Sequence, residues 1–288
     1  MVDIFSETVQ KLADGKIANP RLEARLLIAG ILKCEPAEIY TGITLSDENI
    51  KVLNNMLNER LNHKPIDKIL GHREFYKYDF AVNEDVLSPR PDTEILVEEA
   101  LKILQNKPDA DILDLGCGSG CIIETLLKEL PESKGCAADI SAKALAVAKD
   151  NAINLKIGLR LQFIQADWFA DNFTDFFDRK FDMIVSNPPY IQSDDIKELQ
   201  PEVKDYDPLS ALDGGKSGFD SYERIAQTAS RLLRQDGYIL LEAGFGQARR
   251  IANIYMTHGF KLIKVVNDLA GIARCVILQK SVAESKKS

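Results

Sequence analysis

Residues 112–121 read ILDLGCGSGC: an apolar run, an acid, and then three glycines alternating with Cys117 and Ser119. The run is short and bounded by glycine, which predicts a buried strand ending in a tight turn. Behind it, GCIIETLLKEL carries the apolar spacing of a helix. Gly116, Gly118 and Gly120 let the backbone turn sharply and let a ligand approach without interference from a Cβ. A strand that feeds a helix through such a loop opens a doubly wound α/β sheet, and a nucleotide-like ligand belongs at the carboxyl ends of its strands. A dinucleotide dehydrogenase wants Gly-x-Gly-x-x-Gly. Here the third position is Cys121, which favours a ligand without a pyrophosphate. A tight turn that holds no ligand is the competing reading.

Downstream, strand-like runs alternate with helical patterns. The runs are DILDLG, KGCAADI, LRLQFIQAD, FDMIVSNPP, GYILLEAG, FKLIKVVND and ARCVILQK, and helical patterns fill the first five gaps. This alternation predicts a seven-stranded, mostly parallel sheet covered on both faces, with the last two runs as an antiparallel hairpin at its edge. Upstream, residues 1–70 predict a small helical domain. Asn19 caps and Pro20 opens one helix, whose stripe runs through Leu22, Leu26, Ala29 and Ile31–Leu32. Ser46 caps another, with Ile50, Leu53, Leu57 and Leu61 along it. Residues 71–91 alternate as a β-hairpin around Asn83-Glu84-Asp85 and link the helices to a domain spanning 92–288. The closing SVAESKKS reads as a frayed tail.

Bulk composition narrows the function. A net charge of −8, from 36 Lys and Arg against 44 Asp and Glu, disfavours a protein that grips nucleic acid through phosphates. Residues 1–70 hold nine basic and ten acidic side chains, a poor DNA-binding arm. The five Cys are odd in number and contain no Cys-x-x-Cys pair, so reduced thiols are expected. His63, His72 and His258 lack metal-ligand spacing, and no apolar run approaches the roughly 20 residues of a membrane span. A soluble, monomeric cytoplasmic protein without a metal is expected, and nothing at its start reads as a signal peptide.

The later strand ends carry polar groups. Asp139 ends the second run, where it would accept hydrogen bonds from ribose hydroxyls; it also reads as a cap for the helix over 141–155. Asp167 and Trp168 end the third. The carboxylate suits an adenine amino group and the ring suits an adenine face, although a Trp here also reads as a buried anchor. The fourth end is VSNPPYIQ, residues 185–192. Proline fixes φ and pushes the residue before it into an extended conformation. Asn187 and Pro188 each precede a proline, so the Asn side chain and the Pro188 carbonyl leave the strand in a preset geometry. Two acceptors at a fixed angle bind both hydrogens of a planar –NH2 group and orient its lone pair. The Tyr190 ring would flank that group and attract a sulfonium methyl. Alignment, and not a general base, would supply the rate.

A strand-end Asn-Pro-Pro-Tyr downstream of DLGCGSG resembles the amino-group methyltransferases that use S-adenosylmethionine. Within them the chain is similar to the release factor glutamine methyltransferase (PrmC/HemK) family. The resemblance covers GHREFY at 71–76, VLSPRPDTE at 86–94, DWF at 167–169, VSNPPYI at 185–191, DYDPLSALDGGKSGFDSY at 205–222, and Arg274 after DLAGIA. Ser88, Cys117 and Asp207 depart from the usual Ile, Thr and Glu.

The resemblance implies methyl transfer to the side-chain amide nitrogen (N5) of the Gln in the Gly-Gly-Gln motif of class-I peptide chain release factors. Gly116, Cys117, Gly118, Ser119, Gly120, Asp139, Asp167, Trp168 and Asn187 would contact S-adenosylmethionine. For Cys117 the expected contact is its backbone N–H on the methionine carboxylate. Asn187, Pro188, Pro189 and Tyr190 would hold the glutamine, with Asn187, Pro188 and Tyr190 catalytic. Arg90 and Glu94 would border the methionine end or form a helix-start ion pair, and the helical domain would help dock the release factor. An adenine-N6 DNA methyltransferase or rRNA guanine methyltransferase would need base extrusion and a basic cleft, which the near-neutral helical region disfavours. A non-catalytic S-adenosylmethionine-binding adaptor is a further alternative.

Overall fold

Side-chain caps set the first helices of this computed structural model, which describes residues 3–281. Asp3 accepts the Ser6 N–H at the start of α1 (Ile4–Asp14). Pro20 opens α2 (Pro20–Leu32), but Asn19 is left-handed and makes no side-chain cap bond. Ser46 accepts the Asn49 N–H at the start of α3 (Asp47–Leu61), and the short α4 (Ile66–Leu70) ends at a left-handed Gly71. Of the expected stripe on α2, Ala29 is buried and Ile31 and Leu32 pack partly buried against the same core. The rest of the inward face is Ala24, Leu27 and Ile28, spaced i, i+3, i+4, whereas Leu22 lies two residues ahead of that row and is exposed. On α3, Leu53 and Leu57 are buried against Phe5, Leu12 and Leu27 in one apolar cluster.

The hairpin consists of β1 (His72–Phe75) and β2 (Tyr78–Ala81). Its turn is Tyr76-Lys77, with Tyr76 at φ 60°, and not Asn83-Glu84-Asp85 as the sequence suggested. The Asn83 side chain instead accepts the Asp85 N–H at 2.9 Å, a local turn that follows the hairpin.

The α/β fold then runs in order: α5 (Glu94–Leu104), β3 (Asp111–Leu115), α6 (Cys121–Glu129), β4 (Lys134–Asp139), α7 (Ala142–Asn154), β5 (Leu161–Gln165) and β6 (Phe181–Ser186). After these come the short α8 (Pro201–Lys204), α9 (Asp220–Leu232), β7 (Leu233–Glu242), α10 (Ala248–Thr257), β8 (Phe260–Asn267) and β9 (Ala273–Lys280). Among the described residues the sheet has seven strands, ordered β5-β4-β3-β6-β7-β9-β8. All pairs from β5 to β7 are parallel, and β9 is antiparallel to both neighbours, which is the expected edge hairpin. Ile112 and Leu113, adjacent on β3, enter different cores. Ile112 packs with Val97, Ile123 and Leu126 from α5 and α6, and Leu113 with Ile225 and Tyr255 from α9 and α10. Both faces are thus buried, as a parallel sheet requires.

One expected helix is missing. Between β5 and β6 the chain forms only a 3₁₀ turn, Phe173–Phe176. Edge-to-face contacts of Phe177 with Phe173 and Phe181, at 5.3 and 5.8 Å, anchor this crossing to the core in place of a helical stripe.

The described residues divide into two compact units: residues 3–72 with 200–206, and residues 73–199 with 207–281. Within the first, the buried Arg60 guanidinium bonds both Glu23 and Glu202, the latter at 3.0 Å, and the Tyr206 hydroxyl donates to the Asn62 carbonyl at 2.7 Å. Of the expected frayed tail, residues 281–288, Ser281 is held, its N–H donating to the Gly259 carbonyl at 2.9 Å and its carbonyl accepting Gln235 Nε2 at 3.2 Å, and residues 282–288 lie outside the described residues. Among them, no helix is long and apolar enough to cross a membrane.

Candidate active site

β4 and β5 lie on one side of β3, β6 and β7 on the other, so the strand order reverses between β3 and β6. Ligand crevices of open α/β sheets form at such a point. The Ser186 hydroxyl, donating to the Leu115 carbonyl at 2.6 Å, joins the two strand ends there. Beyond β3 runs the glycine loop. Gly116, Gly118 and Gly120 all have positive φ, at 72°, 53° and 83°. Asp139 braces this loop by accepting the N–H groups of Gly118 and Ser141, both at 2.9 Å. The cap of α7 is Ser141, whose hydroxyl accepts the Ala144 N–H at 3.1 Å. Burial holds the Asp139 carboxyl above its ordinary pKa. Asn151 of α7 ties the loop to the hairpin, donating to the carbonyls of Ser119 and Ala81 and accepting the Ala81 N–H.

Trp168 lies against this loop. A Cβ on Gly116 would stand 3.1 Å from two of its ring carbons, tighter than most real contacts, so the ring and the glycine fit each other. The Trp168 indole N–H is buried and without a protein partner. A cavity of about 240 Å³ opens here, lined among others by Gly116, Cys117, Gly118, Ser119, Asp139, Asp167, Trp168, Asn187 and Pro189. Three expected residues lie outside the lining: Gly120, Pro188 and Tyr190. Gly120 is the left-handed N-cap of α6, Pro188 is buried, and Tyr190 packs its ring edge on Gly244. The Cys117 N–H does not face the cavity as expected; it donates to the Ala138 carbonyl at 3.2 Å.

These residues fit a nucleoside-bearing cofactor such as S-adenosylmethionine. Gly118 has no atom within 4 Å of where its Cβ would stand, so the loop borders open space. Around that space are two carboxylates, an indole ring with a free N–H, and the exposed apolar side chains of Ile140 and Phe169. Among the described residues no cluster of His, Cys, Asp and Glu is placed to hold a metal.

Asn187 follows β6 opposite the end of β7, one step beyond the paired Ser186 and Leu241. Its amide Nδ2 reaches the Thr93 hydroxyl at 3.5 Å, and that hydroxyl donates to Glu242 at 2.5 Å. The rest of the corner is held from the 208–218 segment and from Gln247. Gln247 Nε2 donates to the Tyr190 carbonyl at 2.9 Å, and Ile191 exchanges backbone bonds with Leu212 and Gly214. A Cβ on Gly214 would lie 2.8–2.9 Å from Tyr190 Cα, Tyr190 C and the Pro189 carbonyl oxygen. Those are backbone atoms and cannot swing aside. Gly214→Ala is therefore expected to displace Pro189 and Tyr190 and to lower kcat roughly tenfold or more while cofactor affinity changes little. Steady-state kinetics beside cofactor titration checks this.

Thr93, Glu242, Gln247 and Gly214 escaped the sequence reading as individual site residues. The adjacent Gly214 and Gly215 in an irregular stretch were the one available signal of a close backbone approach. Arg90 and Glu94 do not pair with each other at the start of α5. Arg90 meets Asp207 at 3.0 Å, and Glu94 accepts the Tyr76 N–H at 3.0 Å. Under the glycine loop lie two further buried acids. Burial pushes Asp114 up to about 8, with the Asp139 charge adding to it, and pushes Glu124 up to about 10, with Asp114 adding to it.

The family profile described as "Methyltransferase small domain" matches residues 91–201, and "PrmC N-terminal domain" matches residues 3–71. A release factor glutamine methyltransferase of Agrobacterium fabrum is 37% identical over 286 residues, covering 94% of each chain. One of Caulobacter vibrioides is 36% identical over 287 residues, covering 99% of this chain and 98% of that one. A crystal structure of a methyltransferase from Pyrococcus furiosus superposes with a TM-score of 0.53 at 15% identity, over 80% of this chain and all of that one, and so shares the fold. This chain belongs to the release factor glutamine methyltransferase family.

Proposed function

We propose that this chain is a cytoplasmic enzyme that methylates the side-chain amide nitrogen of the glutamine in the Gly-Gly-Gln motif of class-I peptide chain release factors. S-adenosylmethionine, when bound, would supply an electrophilic methyl on a sulfonium. The observation that carries the reading is the Asn187-Pro188-Pro189-Tyr190 corner, held at Tyr190 and Ile191 by Gln247 and the 208–218 segment, at the strand-order reversal beside the glycine-loop cavity.

The rest follows from the chain's own groups. Asn187 Oδ1 and the Pro188 carbonyl accept the two hydrogens of the substrate amide. Held by both acceptors, the NH2 group cannot turn, and the face that carries its lone pair is presented toward the cavity. Tyr190, its pKa raised to about 12 chiefly by burial, stays neutral and flanks the amide. The new N–C bond would form as the methyl–sulfur bond breaks, with S-adenosylhomocysteine as the leaving group; the amide proton becomes acidic only then and passes to water, so no tuned base is required and positioning carries the rate. Gly116, Cys117, Gly118, Ser119, Gly120, Asp139, Asp167 and Trp168 form the cofactor side. The helical residues 3–72 serve as a docking element for the protein substrate.

The test is incubation with labelled S-adenosylmethionine and two release factors, one natural and one with its Gly-Gly-Gln glutamine replaced. Label on the natural factor alone is expected. Cofactor binding with no label on a folded natural factor would leave the adaptor reading standing.

A further inference from the structure

We infer that Thr93 and Glu242 are positioning residues that lock the Asn187 amide with its oxygen turned toward the substrate nitrogen. The inference rests on the reading of Asn187 given under the proposed function. An Asn side chain can present either its oxygen or its –NH2 group to a partner, and the two ends have nearly the same shape. Only the oxygen is useful here. A flipped Asn187 would set its own N–H groups against those of the substrate amide.

The hydrogen bonds decide which end faces out. A threonine hydroxyl has one hydrogen. Thr93 and Glu242 are buried, with 2% and 3% of their surface exposed, and the Thr93 hydrogen goes to the Glu242 carboxylate at 2.5 Å. A bond to a charged acceptor is strong, so that hydrogen is committed. Thr93 Oγ1 then has only lone pairs left, and Asn187 meets it with Nδ2 at 3.5 Å. The Asn187 oxygen is left on the opposite side. A residue at the start of α5 and one at the end of β7 thus set the polarity of a side chain at the end of β6.

The groups around Glu242 also make this arrangement sensitive to pH. Arg90 and Asp92 face it from the segment before α5, the Cys121 thiol from α6, Tyr190 from the loop after β6, Tyr222 from α9, and Arg274 with the Cys275 thiol from β9. Burial raises the Glu242 pKa and outweighs the Thr93 bond and the two arginines, leaving it at about 7. Below that pH the carboxyl gains a proton and can donate to Thr93. The Thr93 hydrogen is then released to turn toward Asn187, which favours the unproductive flip. Turnover should fall on the acid side, and the fall should depend on both residues.

The experiment measures kcat, KM for the release factor, and equilibrium S-adenosylmethionine binding from about pH 6 to about pH 9. The proteins are wild type, Thr93→Val, Thr93→Ser and Glu242→Gln. The inference expects an acid limb in wild-type kcat near neutrality and a kcat loss of roughly tenfold or more in Thr93→Val, with KM and cofactor binding within a few-fold of wild type. It expects Thr93→Ser to restore wild-type turnover, and Glu242→Gln, whose amide oxygen accepts without titrating, to lose the acid limb. With an active wild type, the inference alone is overturned if Thr93→Val keeps wild-type kcat, if Thr93→Ser is as impaired as Thr93→Val, or if Glu242→Gln keeps the limb. A wild-type enzyme inert on the release factor overturns the parent reading, and this one with it.

Discussion

Asn187→Ala is expected to lower kcat for release-factor methylation by roughly two to three orders of magnitude, with S-adenosylmethionine affinity within a few-fold of wild type. In the proposed mechanism the substitution removes the one side-chain acceptor that, with the Pro188 carbonyl, would orient the substrate amide. It also cuts the end of the chain of hydrogen bonds that starts at Glu242. An unheld amide group samples many orientations about its side-chain bonds, and the loss of such alignment is expensive in rate. Cofactor affinity should change little, because the glycine loop, Asp139 and Trp168 stay where they are. The loop is braced by the hydrogen bonds of Asp139 and Asn151, which run to Gly118 and Ser119 and not through Asn187. Single-turnover kinetics beside cofactor titration separates the two quantities. Equal losses in both would mean that Asn187 chiefly binds the cofactor.

Glu124→Leu is expected to stabilise the protein, most strongly at alkaline pH. Glu124 has no exposed surface, and both carboxyl oxygens lack a partner in the protein. One of them sits 2.2 Å from where a Gly120 Cβ would stand, so the acid is packed under the glycine loop with no room to move out. Burial, with the Asp114 charge adding to it, raises its folded-state pKa to about 10. The sign follows from proton binding. A carboxyl whose folded pKa lies above its unfolded value binds the proton more tightly when folded, so stability is fullest in acid and declines as pH rises from about 4.5 toward that folded value. At pH 8 the cost of keeping Glu124 neutral is on the order of 5 kcal/mol, and leucine removes it with an apolar side chain of comparable length. Tm should rise by roughly 5–10 °C at that pH, and by much less near pH 5. Thermal unfolding at both pH values measures the difference. A destabilised Glu124→Leu, or a gain independent of pH, would show that the carboxyl is satisfied in the folded protein.

What was legible in the sequence was whatever a local rule forces. Three glycines between an apolar run and a helical pattern leave few options, and the loop has the positive φ values that only glycine adopts freely. Asn187-Pro188-Pro189 announced a rigid corner because both prolines restrict the residue before them. The edge hairpin of β8 and β9 could be read from two runs separated by a short polar segment. The rest depended on distance. Thr93 and Glu242 are 149 residues apart, and nothing in either stretch indicates that one hydroxyl meets that one carboxylate. The Gly214-Gly215 pair signalled a close approach, but not that the backbone of Pro189 and Tyr190 is what lies against it.

Some signals misled for physical reasons. Leu22 and Leu26 suggested the inward face of α2, but the tighter Ala24-Leu27-Ile28 row packs there, and an alanine carries little weight in an apolar count. A helical pattern was expected between β5 and β6, yet a 3₁₀ turn there lets Phe173 and Phe177 stack edge to face beside Phe181. Asn83 and Asp85 offered turn chemistry and did form a turn, but the hairpin had already closed at Tyr76-Lys77.

The central claim concerns a single nitrogen atom, and the most direct measurement is residue-resolved mass spectrometry. A natural class-I release factor would be treated with this enzyme and S-adenosylmethionine, digested, and fragmented across its Gly-Gly-Gln segment. The account predicts one added methyl, on the glutamine side chain of that motif, present with the wild-type enzyme and nearly absent with Asn187→Ala at the same time point. A methyl on any other residue, or an unmodified Gly-Gly-Gln peptide from a release factor incubated with cofactor-competent enzyme, would contradict it.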